Sequence, residues 1–176
     1  MQITAPVQQR RVNFNIPADP PTEVVPGVYI GSLDTAAGPH NCTYVISMIA
    51  CSPEHRFSAP PTTIFPMIDG RVTGANLEMY IKKFNQALDT LKMLLSRGHR
   101  VLVHCAAGIN RSATLIGLYL IDCGFTPEEA IGLLEEVNKT RNRPALTNRD
   151  FRRLITARYI MKKQKLKSDH LIDSCK

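Results

Sequence analysis

Between Arg100 and Cys123 an apolar strand, a loop of small residues and an apolar helix follow one another without a break, and no other stretch constrains the fold as strongly. Val101-Leu102-Val103-His104 reads as a buried strand, Cys105 to Asn110 as the loop, and Ser112 to about Cys123 as the helix. A strand that feeds a helix through so tight a loop belongs in an α/β domain with a mainly parallel sheet. The loop then falls at the C-terminal end of a strand, where open sheets of this kind bind ligands.

The residues of that loop suit an anion. Ala106, Ala107 and Gly108 are small, so a ligand can approach the main chain, and Gly108 permits a backbone angle that side chains resist. The amides of Ala106, Ala107, Gly108, Ile109, Asn110 and Arg111 lie at the positive end of the helix dipole, and Arg111 adds a planar fork for two phosphate oxygens. Cys105 sits in the same field. A free thiol has a pKa near 8.5, and such surroundings bring it to about 3.5–7.5, which makes a thiolate nucleophile. His104 points away from the ligand and is expected to support the loop backbone. Ser112 is placed to hydrogen-bond the sulfur and to help it leave after a covalent step.

Around this unit the chain reads as alternating strands and helices. Gly27 to Gly31, Thr43 to Ile49 and Thr63 to Ile68 are expected strands, with Pro66 ending regular pairing in the last. A long helix is expected from Asn76, its N-cap, to Ser96, with Leu77, Tyr80, Ile81, Phe84, Leu88, Leu91 and Leu95 forming one apolar stripe. Thr126-Pro127-Glu128-Glu129 has the pattern of a capping box, and Thr147-Asn148-Arg149-Asp150 opens a last helix in similar style. The expectation is a single α/β domain over residues 23–167, a central mainly parallel sheet flanked by helices. A loosely ordered arm (1–22) precedes it and a frayed tail (168–176) follows.

Composition narrows the class of protein. The chain has 176 residues, 44% of them hydrophobic, which suits one globular domain. No apolar run is long enough to span a bilayer, and the N-terminus lacks the layout of a signal peptide. The five cysteines are odd in number and show no CxxC or zinc-finger spacing, so neither a disulfide framework nor a metal site is expected. A reducing intracellular location, cytoplasmic or nuclear, is the expectation. The net charge is +7, and between Lys139 and Lys167 Asp150 is the sole acidic residue. That basic half is either a solvated helix face or a surface for phosphorylated protein, RNA or anionic membrane.

The segment His104-Cys105-Ala106-Ala107-Gly108-Ile109-Asn110-Arg111-Ser112 resembles the His-Cys-x5-Arg-Ser/Thr signature of the cysteine-dependent protein tyrosine phosphatase superfamily, and the chain is most similar to the small dual-specificity phosphatases. The resemblance runs from about Val25 to Ile155. It includes Pro26 to Gly31, like the family's opening strand, and Arg143-Pro144 with Asn148 and Phe151, like the segment before its last helix. The resemblance implies a protein tyrosine phosphatase-like fold and a metal-free, cofactor-free reaction. Cys105 would attack the phosphoester, and Arg111 with the loop amides would stabilise the equatorial oxygens. Asp69 is the candidate for the aspartate that protonates the leaving oxygen and then activates water. The stretch from Asp69 to the next helix is longer than the family pattern, with Gly70 and Gly74 in it, so either this loop closes over substrate or Asp69 is displaced. Cys51 lies near where some relatives keep a cysteine that pairs with the nucleophile, and an unrelated loop cysteine is the alternative.

The expected function is therefore a phosphatase for phosphotyrosine and phosphoserine/threonine in phosphorylated proteins. Two alternatives stay open: an RNA 5′-triphosphatase using the same loop, and a non-catalytic phosphate-binding module. Lipid-directed relatives carry lysines in the loop, and none stands between Cys105 and Arg111. The sequence assigns no oligomeric state.

Overall fold

The computed structural model describes residues 19–50 and 60–173. Residues 1–18, which hold most of the expected arm, 51–59, which hold Cys51, and 174–176 lie outside the described residues.

The elements follow in the order β1 (Thr22–Val25), β2 (Val28–Gly31), α1 (Leu33–Ala37), β3 (Tyr44–Ser47), β4 (Thr62–Ile64), α2 (Leu77–Ser96), β5 (Val101–His104), α3 (Arg111–Asp122), α4 (Pro127–Thr140) and α5 (Arg149–Asp173). They build a single α/β domain around one sheet of order β1-β2-β5-β3-β4. β1 pairs antiparallel with β2, and the remaining pairings are parallel. Every residue of β5 is buried, as its unbroken apolar run requires of a central parallel strand. The register aligns the strand ends. Gly31 and Ser47 both stand opposite His104, and Ile64 stands opposite Ser47. The C-terminal ends of four strands therefore finish on one line, and the segments leaving them converge.

Helix α3 is the core helix, with Ala113, Leu115, Ile116, Leu120 and Ile121 fully buried. Gly117 lets α5 approach it: a Cβ there would stand 2.5 Å from Ile155 Cδ1. Phe151 of α5 lies edge-on to Tyr80 (5.7 Å between centroids) and Phe84 (5.8 Å) of α2, in the arrangement aromatic quadrupoles favour.

Several expectations need correction. The buried face of α2 is Tyr80, Phe84, Ala87, Leu88, Leu91 and Leu94. Leu77 and Ile81 are exposed, because the true stripe is rotated toward Ala87 and Leu94. Asn76 occupies the N-cap position of α2 without capping it. Its carboxamide instead accepts from the Thr73 amide and donates to the Arg71 carbonyl, ordering the preceding loop. Thr22 to Val25 form an edge strand, of which only Thr22 falls in the expected arm, and the sequence patterns give no sign of this strand or of α1. The last helix continues to Asp173 rather than ending near Lys167. The capping box at Thr126 and Glu129 is present as expected. Among the described residues no helix is long and apolar enough to cross a membrane.

Candidate active site

Cys105 leaves the C-terminal end of β5 and is 1% exposed. The six peptide units from Cys105 to Arg111 wrap around its sulfur, and their carbonyls reveal how they are oriented. The Cys105 carbonyl accepts from His104 Nδ1 (3.3 Å). The Ala106 carbonyl accepts from the Leu33 amide (3.1 Å). That of Ala107 accepts from Arg143 Nη1 (3.1 Å), and that of Gly108 from Asn138 Nδ2 (3.0 Å) and Arg141 Nη1 (3.4 Å). The Ile109 carbonyl accepts from the Leu146 amide (2.9 Å). The Asn110 carbonyl accepts from the Thr114 amide and hydroxyl, both at 2.8 Å. In a trans peptide the N–H points opposite to the preceding C=O. With each of these carbonyls held by the surrounding protein, the amides of residues 106–111 face the other way, into the loop. The result is a ring of donors at a helix N-terminus, a shape that holds a tetrahedral oxyanion.

The loop closes so tightly because of Gly108. Its φ is +69°, and a Cβ there would meet the Gly31 carbonyl at 2.7 Å and the Arg141 guanidinium at 2.8 Å. Leu146 also has a left-handed φ of 52°. That conformation costs a non-glycine residue about 1–2 kcal/mol, and here it belongs to the residue whose amide meets Ile109.

Around the sulfur, opposing effects compete. Burial pushes the Cys105 thiol up, but the hydroxyl and amide of Ser112, the Arg111 charge and the Gly108 amide outweigh it and hold the thiol below its ordinary value. The Ser112 hydroxyl lies 3.3 Å from Sγ. His104 is fully buried, and its Nδ1 must carry the proton, because it faces a carbonyl. Burial pulls the His104 imidazole down to about 4, so it is neutral at physiological pH. Arg111 opens α3. Its Nη1 donates to the Met67 carbonyl (3.0 Å), and its Nε lies 3.9 Å from Asp69 Oδ2.

Asp69 stands at the mouth of the loop. Asn110 Nδ2 donates to its two oxygens at 3.0 and 3.3 Å, and Asn148 Nδ2 donates to Oδ1 at 3.2 Å. The Asp69 loop is itself laced down. The Ile68 carbonyl accepts from Tyr80 Oη, the Gly70 carbonyl from Asn148 Nδ2, and the Val72 amide donates to Asp150. The loop that follows therefore does not carry Asp69 away from the cysteine loop. The residues singled out from sequence, His104 to Ser112 with Asp69, thus lie together at one edge of the sheet.

A supporting layer is foreshadowed in the sequence only by Arg143, within the segment that resembles the family's. Arg141, whose side chain is 2% exposed, pairs through Nε with Asp19 Oδ2 at 2.6 Å, and Arg143 reaches Asp19 Oδ1 at 3.2 Å. Asp19 also accepts from Ser32 and Thr35 at the start of α1. These residues are scattered in sequence and meet through the C-terminus of α4. Polar residues just past the helical pattern of α4 were the one available signal.

Comparison with known proteins agrees with this geometry. The family model described as the dual specificity phosphatase catalytic domain matches residues 28–153. The chain is 32% identical over 106 residues to dual specificity protein phosphatase 2 of Mus musculus, covering 57% of this chain and 32% of the relative. It is 29% identical over 121 residues to tyrosine-protein phosphatase yvh1 of Schizosaccharomyces pombe, covering 65% and 35%. The chain thus spans about a third of the length of these curated relatives. Its fold is similar to a mouse putative dual specificity phosphatase solved with zinc tungstate (TM-score 0.67, 19% identity, 86% of this chain and 94% of that one). It is also similar to human DUSP28 (TM-score 0.64, 18% identity, 82% and 96%).

Proposed function

This chain belongs to the dual specificity phosphatase catalytic-domain family, and from that premise we propose that it hydrolyses phosphate monoesters on tyrosine and on serine or threonine of proteins, through a phosphocysteine. The observation that carries the reading is the ring of outward-held carbonyls, which leaves inward amides around a sulfur whose ionisation is favoured. In the first step Cys105 Sγ attacks phosphorus and the ester P–O bond breaks. The amides of residues 106–111 and the Arg111 guanidinium take the charge on the three equatorial oxygens. Asp69 delivers a proton to the departing oxygen. In the second step water attacks phosphorus, Asp69 removes its proton, and the S–P bond breaks with Ser112 hydrogen-bonded to the departing sulfur. His104 takes no proton in this scheme; it holds the Cys105 carbonyl outward.

The relatives' names favour this reading over the RNA 5′-triphosphatase. A thiol whose ionisation is favoured suits a reducing compartment, the cytoplasm or nucleus. The test is a panel of phosphotyrosyl and phosphothreonyl peptides and triphosphorylated RNA, with wild type and Cys105→Ser. Peptide hydrolysis by wild type alone is expected. Faster γ-phosphate release from RNA would replace the protein reading, and oxyanion binding with no hydrolysis of any substrate would leave a binding module.

A further inference from the structure

We infer that the Asn110 side chain is the positioning residue of the general acid, a latch that holds Asp69 over the cysteine loop; this rests on Asp69 being the acid. Asn110 lends its amide to the anion ring, but its carboxamide does something separate and joins three segments. Nδ2 donates to both Asp69 oxygens. Oδ1 accepts from the Thr147 hydroxyl (3.1 Å) and the Asn148 amide (3.0 Å) at the start of α5. Asn148 closes the circuit by donating to Asp69 Oδ1 and the Gly70 carbonyl. A carboxylate straddled by one carboxamide and bound at one oxygen by a second cannot turn freely about its terminal bond. Nor can the loop from Asp69 to Asn76 swing away without breaking these bonds. Asparagine is suited to the position because it supplies a donor on one side and an acceptor on the other. A serine hydroxyl ends one bond nearer the backbone and must use a single oxygen for both roles. The acid is thereby pre-set by the cysteine loop itself.

The inference is tested with aryl phosphates of different leaving groups. Protonation matters for a poor leaving group such as phenol and little for 2,4-dinitrophenol. For Asn110→Ala and Asn110→Ser, kcat/KM on phenyl phosphate should fall about 10–50-fold while the dinitrophenyl ester changes by about twofold or less. The ratio of the two rates is unaffected by any unfolded fraction. Because the residue acts through Asp69, adding Asn110→Ala to Asp69→Asn should cost nothing further on phenyl phosphate. If Asp69→Asn is sensitive to the leaving group and the Asn110 variants are not, or if the double variant shows additive losses, this inference falls and the acid assignment stands. If Asp69→Asn is itself insensitive, the acid assignment falls and takes the latch with it.

Discussion

Arg141 Nε donates to Asp19 Oδ2 at 2.6 Å, although the two residues lie 122 positions apart. The pair is sequestered behind the cysteine loop, and the same guanidinium holds the Gly108 carbonyl. Burial pushes the Asp19 carboxyl up, but the charges and hydrogen bonds of Arg141, with Arg143 beside it, bring it below its ordinary value. A carboxylate depressed on folding stabilises the fold above its unfolded value and loses that contribution as pH falls through the folded one. Asp19→Asn should therefore lower stability by about 2 kcal/mol near neutrality. Urea unfolding should show the gap from wild type constant down to about pH 4 and shrinking below it.

His104 gives a second pH signature. Its folded value of about 4 lies below the ordinary 6.5, so the unfolded chain takes up a proton first as pH falls. Its contribution is complete above about pH 6.5 and is lost progressively toward pH 4, amounting to about 3 kcal/mol. His104→Asn keeps a donor toward the Cys105 carbonyl, and in urea titrations it should flatten stability over that interval.

Gly108→Ala should leave a folded protein with a ruined anion site. The new methyl meets the Gly31 carbonyl and Arg141 at a left-handed φ, so the Ala107–Gly108 peptide must turn. Displaced donors of this kind cost about 10²-fold, to be read as kcat/KM on p-nitrophenyl phosphate alongside weakened protection by vanadate.

Ser112→Ala removes a hydroxyl 3.3 Å from Sγ. A hydrogen bond to an ionised group is worth about 1.5–3 kcal/mol, so the thiol should ionise about 1–2 units higher. Iodoacetamide alkylation of Cys105 against pH measures this directly. Slower departure of sulfur in the second step should also appear as a burst of product followed by a reduced steady rate.

What was legible in the sequence was local. β5, the cysteine loop and α3 form one contiguous stretch whose apolar pattern and small residues speak for themselves, and the capping box at Thr126 is read from adjacent letters. What was hidden depends on distance. Asp19, Asn138 and Arg141 support the loop from separate segments, and no periodicity links them. The left-handed φ of Leu146 has no signal in a leucine, and α1 begins with Ser32 and Thr35 rather than the usual Glu or Gln partner. The stripe of α2 is legible at Tyr80, Phe84, Leu88 and Leu91, but Ala87 is too small to stand out and exposed Leu77 and Ile81 imitate core.

The carbonyls of the cysteine loop are tied to Leu33, Arg143, Asn138, Leu146 and Thr114, which belong to elements spread across the whole domain. No part of this pocket can survive when the rest melts. Occupancy and folding are therefore thermodynamically linked: tungstate at about a hundred times its Kd should add roughly 2.7 kcal/mol to the native state. The accompanying rise in Tm serves as a gauge of pocket integrity that needs no turnover, and so can be read even in variants that have lost the sulfur.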